Sequence, residues 1–143
     1  MFKLGLDIHG VIDKDPGMFI DYAGYVKYNG GEVHIITGAP FRIAEQQLLD
    51  LGSGRRWWTH FFSVQEYMTQ EGFRQVLDGD NYPHFAPSDW NRMKADYCRR
   101  ENISLHIDDQ LEYLEFFTTP CMWYSSNPQS QNTNKYKPLF KED

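Results

Sequence analysis

Hydrophobic positions in the first part of the chain alternate between short apolar runs and stretches with helical spacing. Apolar runs at residues 2–6 and 33–36 predict two buried strands. Between them, Asp15-Pro16 indicates a helix start and Asn29-Gly30-Gly31 its end, with an inner face of Phe19, Ala23 and Val26. A second helix is expected between Pro40 and Gly52, with an inner face of Ala44, Leu48 and Leu51. This order predicts parallel strands joined by right-handed crossovers.

The pattern weakens after residue 52 and becomes regular again near residue 88. Residues 53–89 form a long excursion, in which 61–64 predict a third strand and 65–70 a short helix. Ser88 or Asp89 then caps a helix that reaches Glu101, with Trp90, Met93 and Tyr97 on its inner face. Further elements are predicted for residues 103–107 (strand), 111–114 (helix) and 121–124 (strand). Residues 125–143 are rich in Ser, Asn, Gln and Lys, which is typical of an extended or mobile tail.

Length and composition are those of one globular domain and exclude several classes of protein. The 143 residues carry a formal net charge of −6, which argues against a nucleic-acid partner other than a phosphorylated end. No apolar run is long enough for a membrane span, and Met1 to Leu4 begin a strand pattern without signal-peptide architecture. We therefore expect a cytoplasmic monomer. The two cysteines, Cys98 and Cys121, lack metal-ligand spacing and are expected to be buried thiols.

Residues with chemical potential follow the predicted strands or begin a predicted helix. Asp7 ends the first strand, where a carboxylate can attack phosphorus, and Thr37-Gly38 ends the second, where a hydroxyl and backbone N–H groups can hold phosphate oxygens. Lys94 can neutralise charge on a transferring group, and Asp108-Asp109 makes an oxygen-rich site suited to Mg²⁺. Because ligands of open α/β sheets bind at the carboxyl ends of strands, these side chains are expected to converge.

These stretches, in this order, resemble the motifs of the haloacid dehalogenase-like hydrolase superfamily. Its first motif, an aspartate followed by x-Asp-Gly-Val/Thr, is similar to Asp7-Ile8-His9-Gly10-Val11, and its second is similar to Ile35-Ile36-Thr37-Gly38. Lys94 is the candidate for the third motif, and Leu105-His106-Ile107-Asp108-Asp109 is similar to the fourth. The resemblance spans residues 2 to 124, so residues 1–124 are expected to form the core domain.

The resemblance implies a fold, a cofactor and a role for each residue. The fold would be a three-layer α/β/α sandwich around a Rossmann-like, mainly parallel sheet, with residues 53–89 supplying at most a small cap. Asp7 would be the nucleophile, and Thr37, Gly38 and Lys94 would hold the phosphoryl group of a small substrate. Mg²⁺ would be bound by the side chains of Asp7 and Asp108 and by the backbone carbonyl of His9. Asp109 would be a further ligand or would orient Lys94 or a metal-bound water.

His9 departs from the family pattern, because phosphatases of the superfamily usually carry a second aspartate there. An imidazole exchanges protons near neutral pH, so His9 is a candidate acid and base. A slow enzyme, and a non-catalytic binding or regulatory domain that keeps the pocket, are the alternatives. Other candidates have structural explanations: His34, His60, His84 and His106 show no ligand spacing, Arg42, Arg55 and Arg56 suit a solvated surface, and Trp57 and Trp58 suit a core.

Overall fold

The apolar runs of the sequence form the centre of one parallel sheet. A computed structural model describes residues 1–76 and 84–125. Its strands are β1 (Lys3–Leu6), β2 (Glu32–Thr37), β3 (His60–Ser63), β4 (Gln75–Val76), β5 (His84–Phe85), β6 (Leu105–Asp108) and β7 (Cys121–Trp123). Five of these pair in parallel in the order β3-β2-β1-β6-β7, and β4 pairs with β5 in a separate antiparallel ladder. The predicted α/β, Rossmann-like class is confirmed.

Helices connect consecutive strands of the sheet, as the crossover rule requires. They are α1 (Pro16–Tyr28), α2 (Phe41–Leu51), α3 (Val64–Gln70), α4 (Pro87–Trp90), α5 (Met93–Arg100) and α6 (Leu111–Leu114). A tight turn, Ile8–Ile12, separates β1 from α1, with Gly10 at φ 84°. Pro16 occupies the first position of α1 as predicted, because its fixed φ suits a helix start and its missing N–H is not needed there.

Two hydrophobic clusters hold the helices against the sheet. One joins sheet residues such as Leu6 and Ile35 to Phe19 of α1 and Leu48 of α2, all of them buried. The other joins Ile36 and Phe62 to residues of α3 and α5, namely Val64, Met68, Met93, Tyr97 and Cys98. Trp57 and Trp58 belong to the first cluster, and the Trp57 indole N–H donates to the Leu48 carbonyl oxygen at 3.1 Å. The prediction that both tryptophans pack in the core is confirmed.

The helix predicted up to Glu101 is divided in two. A turn at Asn91 and Arg92 separates α4 from α5, and Pro87, not a capped Ser88 or Asp89, begins α4. This turn lets Trp90 stack on Phe85, with ring centroids 6.0 Å apart, before α5 starts. The strand predicted from residue 103 begins at Leu105, although Ile103 is buried.

Other expectations for the outer parts of the chain have mixed outcomes. Cys98 is buried as predicted, whereas Cys121 is exposed, because it lies on the edge strand β7. The 53–89 excursion contributes β3 and α3 to the main fold, and its residues 77–83 lie outside the described residues. So do residues 126–143 of the predicted tail. Within the two described stretches, no helix has the length and apolar character needed to cross a membrane.

Candidate active site

The carboxyl ends of the three central strands place polar side chains in one cavity or directly beneath it. Asp7 directly follows β1, Thr37 ends β2 and Asp108 ends β6, and β1 lies between the other two. The register pairs Leu6 with Ile35 on one side and with Ile107 on the other, so these ends are level. The cavity measures about 420 Å³ and is lined by Asp7, His9, Gly10, Asp13, Lys14, Thr37, Gly38, Ala39, Lys94, Asp109, Gln110 and Tyr113.

Lys94 forms a buried ion-pair cluster with two aspartates at the base of this cavity. Its ammonium lies 3.1 Å from Asp7 Oδ1 and 2.9 Å from Asp108 Oδ2. All three residues are almost inaccessible to water. Buried charges persist only when they are paired, because their desolvation costs several kcal/mol per ion. Lys94 on α5 therefore joins the helix to the ends of β1 and β6.

Asp108 is fixed from three directions beneath the cavity and does not line it. Besides Lys94, it accepts a hydrogen bond from the Gln110 backbone N–H at 3.2 Å and contacts the buried His106, whose Nε2 is 2.9 Å away. His106 and Asp108 share one face of β6 because side chains alternate along a strand. The contact between His106 and Asp108 was not predicted, although their spacing of two residues in a strand could have indicated it. The side chain that faces the cavity is that of Asp109.

Burial and mutual repulsion shift the titration of these carboxyl groups. Burial raises the pKa of Asp7, the Lys94 ammonium opposes this rise and the Asp108 charge adds to it, and together they bring the pKa to about 7. Burial also raises the pKa of Asp108, but Lys94 and the His106 hydrogen bond outweigh it and hold that pKa well below its usual range. Burial opposes the charge of Lys94, yet the two aspartates raise its pKa, so it stays protonated. In the absence of a metal ion, Asp7 therefore titrates near neutral pH.

The turn after β1 places its backbone directly against Asp109. Gly10 has a positive φ, and a Cβ atom built there would overlap the Asp109 carboxyl group. The Gly10 N–H donates to Asp13 Oδ1 at 2.8 Å, which fixes the turn. His9 precedes it and is exposed at the cavity. A side chain at position 10 would displace Asp109, so this glycine is needed for the site geometry.

The structure brings most of the predicted residues together and adds others. Asp7, His9, Thr37, Gly38, Lys94 and Asp109 all line the cavity, whereas Arg42, Arg55 and Arg56 are exposed outside it. Lys14 and Tyr113, which were not predicted, also line the cavity. The Tyr113 ring centroid lies 5.0 Å from Lys94 Nζ, within cation–π range. Tyr113 also accepts a hydrogen bond from the Trp90 indole at 3.2 Å, and Trp90 packs against Gly38.

The acidic residues offer a donor set that suits a hard cation. Asp7, Asp108 and Asp109 each supply one carboxylate oxygen, and these oxygens all lie within 4.8 Å of one another. Three carboxylates against one ammonium leave two negative charges when all are ionised, which a divalent ion would balance. An all-oxygen set is the kind that Mg²⁺ prefers. The residues present therefore fit a magnesium ion.

Comparisons of the chain with protein-family models, with curated proteins and with solved structures found no match.

Proposed function

We propose that this protein is a magnesium-dependent phosphomonoesterase of the haloacid dehalogenase-like type, with Asp7 as its nucleophile. The observation that supports this proposal is the buried Asp7–Lys94–Asp108 cluster, which opens onto a small cavity with Thr37 and Gly38 on its wall. A carboxylate and a hydroxyl at neighbouring strand ends, together with the ammonium of Lys94 on α5, are groups that phosphoryl transfer uses. The cavity volume of about 420 Å³ suits a small phosphorylated substrate.

In this mechanism the nucleophile follows β1, whereas the phosphoryl-binding groups come from the end of β2 and from α5. An Asp7 oxygen forms a bond to phosphorus while the bond from phosphorus to the leaving oxygen breaks, which gives an aspartyl phosphate. Lys94 balances the negative charge of the transferring group, and the Thr37 hydroxyl and the Gly38 N–H hold its oxygens. Water then attacks phosphorus, which releases inorganic phosphate and restores the Asp7 carboxylate.

The acidic residues would hold the magnesium ion beside the phosphoryl site. Asp7, Asp108 and Asp109 would supply carboxylate oxygens to it, and His9 its backbone carbonyl oxygen. When bound, Mg²⁺ supplies positive charge that screens the phosphoryl oxygens and favours the ionised form of Asp7. Because Lys94 already neutralises part of the cluster, the ion and the ammonium together allow three carboxylates to remain charged near a phosphate.

The test of this proposal is the rate of aryl phosphate hydrolysis as a function of Mg²⁺ concentration. We expect the wild-type rate to depend on Mg²⁺, and Asp109→Asn to require roughly 10-fold or more Mg²⁺ for half-maximal rate, because it loses a ligand that faces the cavity. The Mg²⁺ requirement should fall as pH rises through about 7, since the ion binds ionised Asp7. The exposed Asp21→Asn is the matched control. Magnesium binding without turnover of any phosphate ester would favour the non-catalytic alternative.

His9 is the candidate proton donor, because it places an exposed imidazole at the cavity. If its ring protonates the leaving oxygen, His9→Ala should slow alkyl phosphate hydrolysis about 10²-fold while sparing activated aryl phosphates, whose leaving groups need no proton. The measurement is the ratio of kcat/KM values for the two substrates. His84→Ala is the histidine control. Unchanged alkyl phosphate turnover in His9→Ala would assign this residue a backbone role only.

A further inference from the structure

Three side chains with metal-binding atoms meet at the amino ends of two strands, whereas the acidic cavity lies at the carboxyl ends. Glu32 begins β2, His34 follows it on the same face, and His60 begins β3 directly opposite His34 in the strand register. Asp7, Thr37 and Asp108, by contrast, stand at the carboxyl ends of their strands. The sequence shows no ligand spacing among the histidines, because two of them become neighbours only through the pairing of β2 with β3.

The potential ligand atoms of this cluster converge on one carboxylate oxygen. His34 Nε2 lies 2.8 Å from Glu32 Oε1, and His60 Nδ1 lies 3.9 Å from the same oxygen. One ligand atom from each residue falls within 4.8 Å of the other two. The distances are those of a site that needs little rearrangement to hold one ion.

A buried tyrosine orients His34 toward this convergence point. His34 Nδ1 lies 2.7 Å from the Tyr97 hydroxyl, and both residues are buried. Metal-binding histidines characteristically use their second ring nitrogen for such a hydrogen bond, which fixes the ring and its tautomer. In the metal-free protein, His34 Nε2–H donates to Glu32 and Nδ1 accepts from the Tyr97 hydroxyl. An ion at Nε2 would require the imidazole proton to move to Nδ1, where the Tyr97 hydroxyl oxygen can accept it.

We propose that Glu32, His34 and His60 form a binding site for Zn²⁺. A donor set of two imidazole nitrogens and one carboxylate oxygen binds Zn²⁺ in preference to Mg²⁺. Zinc in such a site is four-coordinate, and water would be its fourth ligand. Water can reach this position because Glu32 and His60 side chains are 24% and 48% exposed. The ion ties β2 to β3 at the start of both strands.

Binding requires one local movement, which the exposure of His60 permits. The His34 and His60 rings are stacked, with centroids 4.3 Å apart and planes 6° from parallel. Because imidazole lone pairs lie in the ring plane, the His60 ring must turn toward Glu32, and its Nδ1 must leave the Thr59 hydroxyl, now 2.8 Å away. Lys3, whose Nζ is 3.8 Å from Glu32 Oε1, competes with the ion for that carboxylate.

Calorimetric titration of the full chain with Zn²⁺, in excess Mg²⁺, tests the site. The excess Mg²⁺ suppresses the signal of the all-oxygen cluster, for which Zn²⁺ also has affinity. We expect one equivalent of Zn²⁺ to bind the wild type, and His60→Ala and Glu32→Gln each to weaken binding by roughly 10-fold or more. His84→Ala removes a histidine outside the cluster and should bind as the wild type does.

A second measurement does not depend on how well the variants fold. Zn²⁺ should shift the side-chain ¹⁵N resonances of His34 and His60 in the wild type and leave those of His84 in place. Absence of Zn²⁺ binding, or equal affinity in all variants, would overturn the proposal and leave the three residues as a hydrogen-bonded network. Mg²⁺-dependent phosphatase activity should be unchanged in His60→Ala and Glu32→Gln, so the two proposals fail or stand separately.

Discussion

The Asp7→Asn variant should lose phosphomonoesterase activity by a factor on the order of 10³ or more while keeping its fold. An amide cannot form the acyl phosphate, so the covalent step is blocked. The fold survives because the introduced amide keeps a side-chain oxygen that can accept a hydrogen bond from Lys94, whose Nζ is 3.1 Å from Asp7 Oδ1 in the wild type. Initial rates on an aryl phosphate in saturating Mg²⁺, with circular dichroism melting curves, provide the measurement.

The Asp7→Asn substitution should also stabilise the folded state at high pH, because it removes a buried group that is costly to ionise. Since the folded pKa of Asp7 is raised to about 7, above its ordinary value of 3.8, ionising this group costs stability as pH rises between those values. In EDTA, Asp7→Asn should therefore melt above the wild type at pH 8 and match it near pH 4. Asp21→Asn, on the exposed face of α1, controls for the loss of a charge.

Wild-type rates of phosphate ester hydrolysis in Asp7→Asn would exclude the covalent mechanism.

The Lys94→Met variant should lose about 3–5 kcal/mol of unfolding free energy at pH 8 in EDTA. Methionine fills a similar volume but leaves Asp7 and Asp108 buried without a cation. The pKa of Asp7, already raised in the wild type, then rises further, and the pKa of Asp108 rises from its lowered position. The loss is therefore full above the folded pKa values and shrinks as pH falls and the carboxyl groups take up protons. Urea denaturation at pH 8 and pH 5 measures both effects.

The matched control for this variant is Lys14→Met, which removes an exposed lysine from the wall of the same cavity. It should change the unfolding free energy by less than about 1 kcal/mol, because exposed ion pairs contribute little. Equal losses in the two variants would show that Lys94 does not stabilise the buried carboxylates.

The sequence was most informative where a local pattern decides the structure. The apolar runs that precede Asp7, Thr37 and Asp108 predict parallel strands. The carboxyl ends of parallel strands lie on the same side of a sheet. The position of these three residues at one edge could therefore be predicted without any knowledge of side-chain packing.

Features that depend on pairing between distant segments could not be predicted. The stacking of His34 on His60 depends on the register of β2 and β3, and the place of Tyr113 in the cavity depends on how α6 packs. The exposure of Cys121 follows from the position of β7 at the sheet edge. Periodicity describes one segment at a time and does not contain this information.

The central position of β1 in the sheet has a consequence for the synthesis of the chain. Of the described strands, β1 is synthesised before the others, yet one of its two neighbours in the sheet, β6, follows it by about a hundred residues. Asp7 therefore cannot be buried beside Lys94 and Asp108 until α5 and β6 have been synthesised. A nascent chain that stops short of β6 leaves one edge of β1 unpaired, and an unpaired strand edge can pair with another chain.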